Sequence, residues 1–190
     1  MTLLFAFRHA ATDWTAERRL QGRTDRPLSD EGRRQAAGWR LPAEIEGFRW
    51  LTSPLSRCRE TAEAMGATPT VEPALVEMGW GAWEGRRLSD LRADLGPAMA
   101  ENEAGGLDFR PEGGESPRMV QARLLPFLAE LEADSVTVTH KGVLRALYSL
   151  ATGWDMTAKP PDRLLDGHGH LFRIGGERPE VVRLNLPLVR

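Results

Sequence analysis

Leu3-Leu4-Phe5-Ala6-Phe7 is a short unbroken apolar run, the pattern of a strand buried on both faces. Arg49-Trp50-Leu51-Thr52 and Val136-Thr137-Val138-Thr139 read as two further strands. The segments between them carry helix signals. Ser29-Asp30-Glu31-Gly32 opens a helix through about Arg40, with Ser29 as its N-cap. Residues 55–65 form another, closed by Gly66 at the position that favours glycine. Residues 143–151 form a third. Val120, Leu124, Leu128 and Leu131 recur at helical spacing over residues 117–132, where Pro126 is expected to kink the helix by removing a backbone donor. In the tail, strands at residues 171–174 and 180–184 flank a Gly175-Gly176 turn. Residues 79–115 differ: glycine-rich, acidic and weakly periodic apart from a short helix at 88–94, they suit an insertion or cap over a site.

Strands alternating with helices imply βαβ units. The expected fold is α/β: a single domain over residues 1–190, a three-layer sandwich with a mostly parallel central sheet and helices on both faces. A chain of 190 residues with 41% hydrophobic and 27% charged residues suits one soluble core and argues against disorder. With 25 basic and 27 acidic side chains, it lacks the charge excess of a wholesale nucleic-acid binder. One cysteine, Cys58, excludes an intrachain disulfide. The first residues lack the basic start and long apolar run of a signal peptide, and no stretch approaches a transmembrane length. The expectation is a cytoplasmic protein without nucleic-acid or membrane partners. Two copies could pair through an exposed edge, but no heptad pattern points to a homodimer.

Each of the first three strands ends directly in polar chemistry: Arg8-His9, Ser53-Pro54 leading to Arg57, and His140. Ligands of open α/β sheets bind beyond the carboxyl ends of strands, so two arginines and two histidines would converge there if these strands are neighbours. Guanidinium matches phosphate oxygens, and imidazole serves as nucleophile, base or acid near neutral pH. A phosphate-bearing small molecule is the natural guest. No Walker-type Gly-x-x-x-x-Gly-Lys sequence is present to suggest a nucleoside triphosphate.

Arg8-His9-Ala10, Thr12-Asp13-Trp14, Gln21-Gly22, Asp25 and Pro27-Leu28-Ser29 together resemble the signature of the histidine phosphatase superfamily, which includes the cofactor-dependent phosphoglycerate mutases. Further matches follow in the family's order: Thr52-Ser53-Pro54-Leu55-x-Arg57-Cys58, Glu77 ahead of Gly81-x-Trp83-Glu84-Gly85, Gly114-Glu115-Ser116, and Thr139-His140-x-Gly142. The resemblance spans residues 1–150 and implies a phosphoglycerate mutase-like fold. It also implies His9 as the nucleophile that carries the phosphoryl group, with Arg8, Arg57 and His140 as the phosphate shell and Glu77 as proton donor to the leaving group. Thr15, Gln21 and Gly22 fall where the family's first loop approaches phosphate. No metal or cofactor is implied, and the partner is a small phosphomonoester.

The implied reaction is hydrolysis of a phosphorylated metabolite such as a sugar or nucleotide-like phosphate. The alternatives are a mutase and a catalytically weak phosphate-binding module. Short length favours the phosphatase, because family mutases carry longer insertions. Four departures motivate the weak module. Ala10 and Ala11 replace a usual glycine and glutamate, Thr15 a usual asparagine, and Lys141 a usual glycine. Ala10 would strain the backbone if that position required positive φ. Elsewhere, His168-Gly169-His170 beside Asp166 is at most half a zinc site, and is expected to form a turn leading into the next strand. Cys58 is expected to be a small buried residue, and Trp80 and Trp83 to pack a loop onto the core.

Overall fold

The computed structural model describes residues 1–188. Its centre is β1 (Thr2–Arg8), flanked by β4 (Ser135–Thr139) and β5 (His168–Ile174). With β2 (Arg49–Thr52), β3 (Thr70–Val71) and β6 (Glu180–Pro187), the six-stranded order is β3-β2-β4-β1-β5-β6. β1 to β4 run parallel, whereas β5 and β6 form an antiparallel hairpin on one edge. The mostly parallel sheet follows from helical crossovers between strands, which only a hairpin can avoid.

The alternation along β1 distributes the core. Leu4 and Ala6 join the cluster under α6 (Pro117–Ala129) and α7 (Lys141–Thr152), which includes Val120, Leu124, Val143 and Leu147. Phe5 and Phe7 join the opposite cluster under α2 (Asp30–Gly38) and α3 (Ser56–Ala64), with Ala36, Cys58 and Ala62. Burying each phenylalanine contributes about 1.5–3 kcal/mol, so the central strand must carry apolar residues on both faces. Ser29 caps α2 by accepting the Gly32 N–H at 3.1 Å. Gly66 follows α3 with φ of 84°, the left-handed geometry of a C′ glycine.

Two local expectations change. His168 and His170 lie within β5 itself rather than in a turn before it. Gly169 makes this possible: its missing side chain leaves room for the Phe5 ring, whose Cζ would sit 1.9 Å from a Cβ at that position. α6 runs on through Pro126 to Ala129, so the proline lies inside the helix rather than ending it. Residues 79–115 hold more helix than their pattern predicts: α4 (Leu88–Leu95) is followed by α5 (Pro97–Ala104). Met99 is the one buried side chain of α5, which explains its weak periodicity. A four-residue helix α1 (Asp13–Ala16) also follows β1. Trp83, Leu91 and Met99 form a small separate cluster, with Trp80, Leu88 and Phe109 against it.

No helix among the described residues is long and apolar enough to cross a membrane. Gly169→Leu tests the sheet packing. Overpacking against Phe5 should cost about 1–3 kcal/mol and lower Tm by several degrees, measured by circular dichroism. A Cβ at Gly176 would meet no atom closer than 3.6 Å, so Gly176→Ala is the matched control. Equal melting temperatures for the two variants would contradict the packing described.

Candidate active site

β2, β4 and β1 are consecutive neighbours in the sheet, so their carboxyl ends deliver Ser53, His140 and Arg8-His9 to one place. Arg57 arrives from the first turn of α3. The His9 and His140 rings meet edge to face with centroids 5.2 Å apart. A cavity of about 570 Å³ opens above them, lined by Arg8, His9, Gln21, Gly22, Arg57 and Glu77, with Trp80, Leu88 and Phe109 of the 79–115 segment. His140 is completely buried behind this lining.

Hydrogen bonds fix the tautomers. His9 Nδ1 lies 2.7 Å from the Ala10 carbonyl, which can only accept; Nδ1 therefore carries the proton and Nε2 of the neutral ring keeps its lone pair. Arg57 Nε donates to His140 Nδ1 at 3.3 Å, so the His140 proton sits on Nε2, 2.7 Å from Ser53 Oγ. Burial, then the Arg8 and Arg57 charges, hold His9 well below the ordinary histidine pKa. Burial, then Arg57 and His9, do the same to His140. Glu77 moves the other way: burial raises its pKa, although its carboxylate accepts the Met78 N–H at 2.8 Å and the Gly142 N–H at 3.3 Å.

The first-loop residues divide. Gly22 has φ of 55° and lines the cavity; its carbonyl accepts Arg57 Nη2 at 2.7 Å. Gln21 also lines the cavity, with its amide held by Thr12 at 3.0 Å and Thr15 at 3.1 Å. Thr15 lies outside that lining and closes the capping box of α1, touching the site through Gln21. Ala10 has no positive φ, so alanine needs no strained backbone there. Lys141 is exposed at the cavity rim. The first amide of α3 is already taken, since Ser56 N–H donates to Asp25 at 2.9 Å.

Of the supporting residues, Arg123 carries no signal of its own in the sequence, whereas Glu84 and Glu115 fall inside motifs that resemble the family's. Arg123 donates to the Val76 carbonyl at 2.6 Å and also reaches that of Ala74, while Glu115 accepts the Gly79 N–H at 2.9 Å; together they hold the segment bearing Glu77. Glu84, a competitor of Glu77 by position alone, instead accepts the N–H groups of Arg23, Thr24 and Trp80 at 2.8–3.1 Å. Those bonds outweigh its partial burial and lower its pKa, the state of a clamp rather than an acid. Cys58 is buried, with burial pushing its thiol well up, so it holds no thiolate near neutral pH. Among the described residues, no group of three His, Cys, Asp or Glu is arranged to hold a metal ion.

The model of the histidine phosphatase superfamily, branch 1, matches residues 4–187. The chain belongs to this superfamily. Within it, the chain is 34% identical over 129 residues to a protein named probable phosphoglycerate mutase GpmB from Cronobacter sakazakii, covering 65% of this chain and 60% of that relative. It is also 34% identical over 166 residues to a glucosyl-3-phosphoglycerate phosphatase of Mycobacterium tuberculosis, covering 76% and 72% of the two chains. The crystal structure of TTHB049 from Thermus thermophilus superposes with a TM-score of 0.77 at 33% identity, over 97% of this chain and 99% of that one. The α/β architecture described above is accordingly the histidine phosphatase fold.

The two histidines make stability depend on pH. Their folded pKa values lie below the unfolded value of 6.5, so the unfolded chain binds more protons as pH falls. Their contribution is full above that value and is lost on acidification. Glu77 acts oppositely, its contribution fading as pH rises above its ordinary 4.5. The urea midpoint should therefore fall between about pH 8 and pH 5.5, and fall less in His9→Asn. A flat midpoint, or equal slopes in both proteins, would contradict these shifts.

Proposed function

We propose that the protein is a phosphomonoester hydrolase whose His9 becomes transiently phosphorylated. The observation carrying this reading is the unprotonated Nε2 of His9, held by the Ala10 carbonyl between Arg8 and Arg57 in the lined cavity. Nε2 attacks phosphorus as the P–O bond to the leaving group breaks. Arg8 and Arg57 oppose the charge on the transferring oxygens, and His140 positions Arg57 from behind by accepting from its Nε. Glu77, its pKa raised by burial, gives a proton to the departing oxygen. Water then attacks the phosphohistidine, Glu77 takes its proton, the P–N bond breaks and inorganic phosphate leaves. The reading takes a small phosphorylated metabolite as substrate, in the cytoplasm where such metabolites are held.

The name of the Mycobacterium tuberculosis relative supports hydrolysis, and a phosphorylated glycerate or glycoside is the first substrate to examine. The name of the Cronobacter relative favours a second reading, transfer of the phosphoryl group to another hydroxyl. Phosphate release from a panel in EDTA separates them: hydrolysis frees phosphate, whereas a mutase converts phosphoglycerate with little release. The panel holds an aryl phosphate, 3-phosphoglycerate, sugar phosphates and nucleoside monophosphates.

His9→Ala should lower turnover by at least about 10⁴-fold with the fold retained. Turnover persisting in that variant, or abolished in the wild type by EDTA, would remove the phosphohistidine reading. Glu77→Gln should cost about 10²–10⁴-fold with sugar phosphates and markedly less with the aryl phosphate, whose leaving group departs without a proton. Equal losses on both substrates would deny Glu77 the acid role.

A further inference from the structure

A second cavity, about 440 Å³, lies beside the first and shares Arg8, Lys141 and Arg145 with it. Its remaining wall comes from α7, the segment before β5, and β5 itself. The reaction derived above uses none of this space beyond Arg8.

The charge there is unbalanced. Lys141, Arg145 and Arg163 line the cavity together with Arg8, and the one carboxylate in the lining, Asp166, already pairs with Arg8 at 3.0 Å. Arg145 lies over the Trp154 ring at 4.6 Å, and burial lowers its basicity. A half-buried guanidinium that rests on an aromatic face is better placed to meet an anion than one free in water.

Unspent donors point the same way. Three buried side-chain polar atoms lack a partner among the described residues, and two of them, Arg8 Nε and His170 Nε2, belong to residues lining this cavity. The His170 atom is a donor. Its Nδ1 accepts the Asn185 N–H at 3.2 Å, and a backbone N–H can only donate, so the proton of the neutral ring is on Nε2. His170 is 1% exposed, and an orphaned donor so deeply placed is destabilising unless something accepts from it. Burial lowers the His170 pKa to about 4, which keeps that neutral form at physiological pH.

We propose that this second cavity is an anion subsite in which His170 Nε2–H and the Arg163 guanidinium hold a carboxylate or phosphate group, with Lys141 and Arg145 supplying charge between it and the His9 site. The group arrives either as the second anionic end of a substrate or as a free oxyanion. Only the kinetic arm of the test rests on the phosphatase reading.

The binding arm is an NMR titration of the wild type with inorganic phosphate, following the His170 imidazole signals, assigned with His170→Gln, beside those of His9. The His170 signals should shift saturably. Arg163→Ala should raise their midpoint about tenfold while the His9 midpoint stays put. Unmoved His170 signals, or a midpoint indifferent to Arg163→Ala, overturn the proposal whether or not the protein hydrolyses anything. In the kinetic arm, a KM raised for 3-phosphoglycerate but not for an aryl phosphate assigns the anion to the substrate. An unchanged KM with altered inhibition by added phosphate assigns it to a free oxyanion. Arg163→Ala that alters neither measure overturns the subsite as a functional one.

Discussion

Arg57 is a full positive charge with no exposure to water, and the rest of the site is arranged around keeping it there. Removing a guanidinium from water is costly unless its donors are met. They are met by neutral groups: the carbonyls of Gly22 and Thr24 at 2.7 and 3.1 Å, and His140 Nδ1 at 3.3 Å. This satisfies the hydrogen bonds but leaves the charge. After burial itself, the field that remains helps suppress protonation of both histidines, behind Arg8 at His9 and ahead of it at His140, and it favours an anion in the cavity. One buried residue thus sets the tautomer of His140 and adds to the low basicity of both histidines.

Holding Arg57 in turn dictates distant parts of the chain. Two carbonyls aimed at one guanidinium require a tightly bent loop. Gly22 supplies the positive φ, and a Cβ there would fall 2.0 Å from Glu84 Oε1. Glu84 gathers the N–H groups on the other side of that loop and one from Trp80. Trp80 packs edge to face on Phe109 and stacks at 6.5 Å on Trp83, so the clamp on the Gly22 loop and the apolar cluster of residues 79–115 are one unit. Glu115 sits in the same unit, bonding Gly79 and Arg123 around the segment that presents Glu77. The segment that covers the cavity is therefore also the segment that shapes it.

The parts legible in the sequence are those where a local pattern and a global demand coincide. The unbroken apolar run of β1 can only be a strand covered on both faces, and polar residues directly after three such runs can only gather at one sheet edge if the strands adjoin. The structure places them as neighbours. Less legible are contacts made by long side chains across large separations. Arg123 lies 47 residues from Val76, and Glu84 lies 60 from Thr24, and neither spacing has a periodic signature. α5 leaves little trace because it buries one side chain. His168-Gly169-His170 reads as a turn because glycine is a strong turn signal, whereas here it yields space to the Phe5 ring.

Three of the four departures from the family's usual residues have a common physical explanation: each falls where the backbone or a neighbour, rather than the altered side chain, performs the task. What residue 10 contributes is its carbonyl, which holds the proton on His9 Nδ1, and its N–H, which donates to Thr61 Oγ1 at 3.1 Å; alanine supplies both without positive φ. Ala11 likewise offers its carbonyl to Ser29, fixing the start of α2 against the loop. Thr15 spends its hydroxyl on Thr12 and on the Gln21 amide, so its short reach is enough to position the longer side chain that lines the cavity. Lys141 alone adds a group with its own charge, and it does so at the rim shared by both cavities, where positive potential favours an arriving anion without being buried beside Arg57.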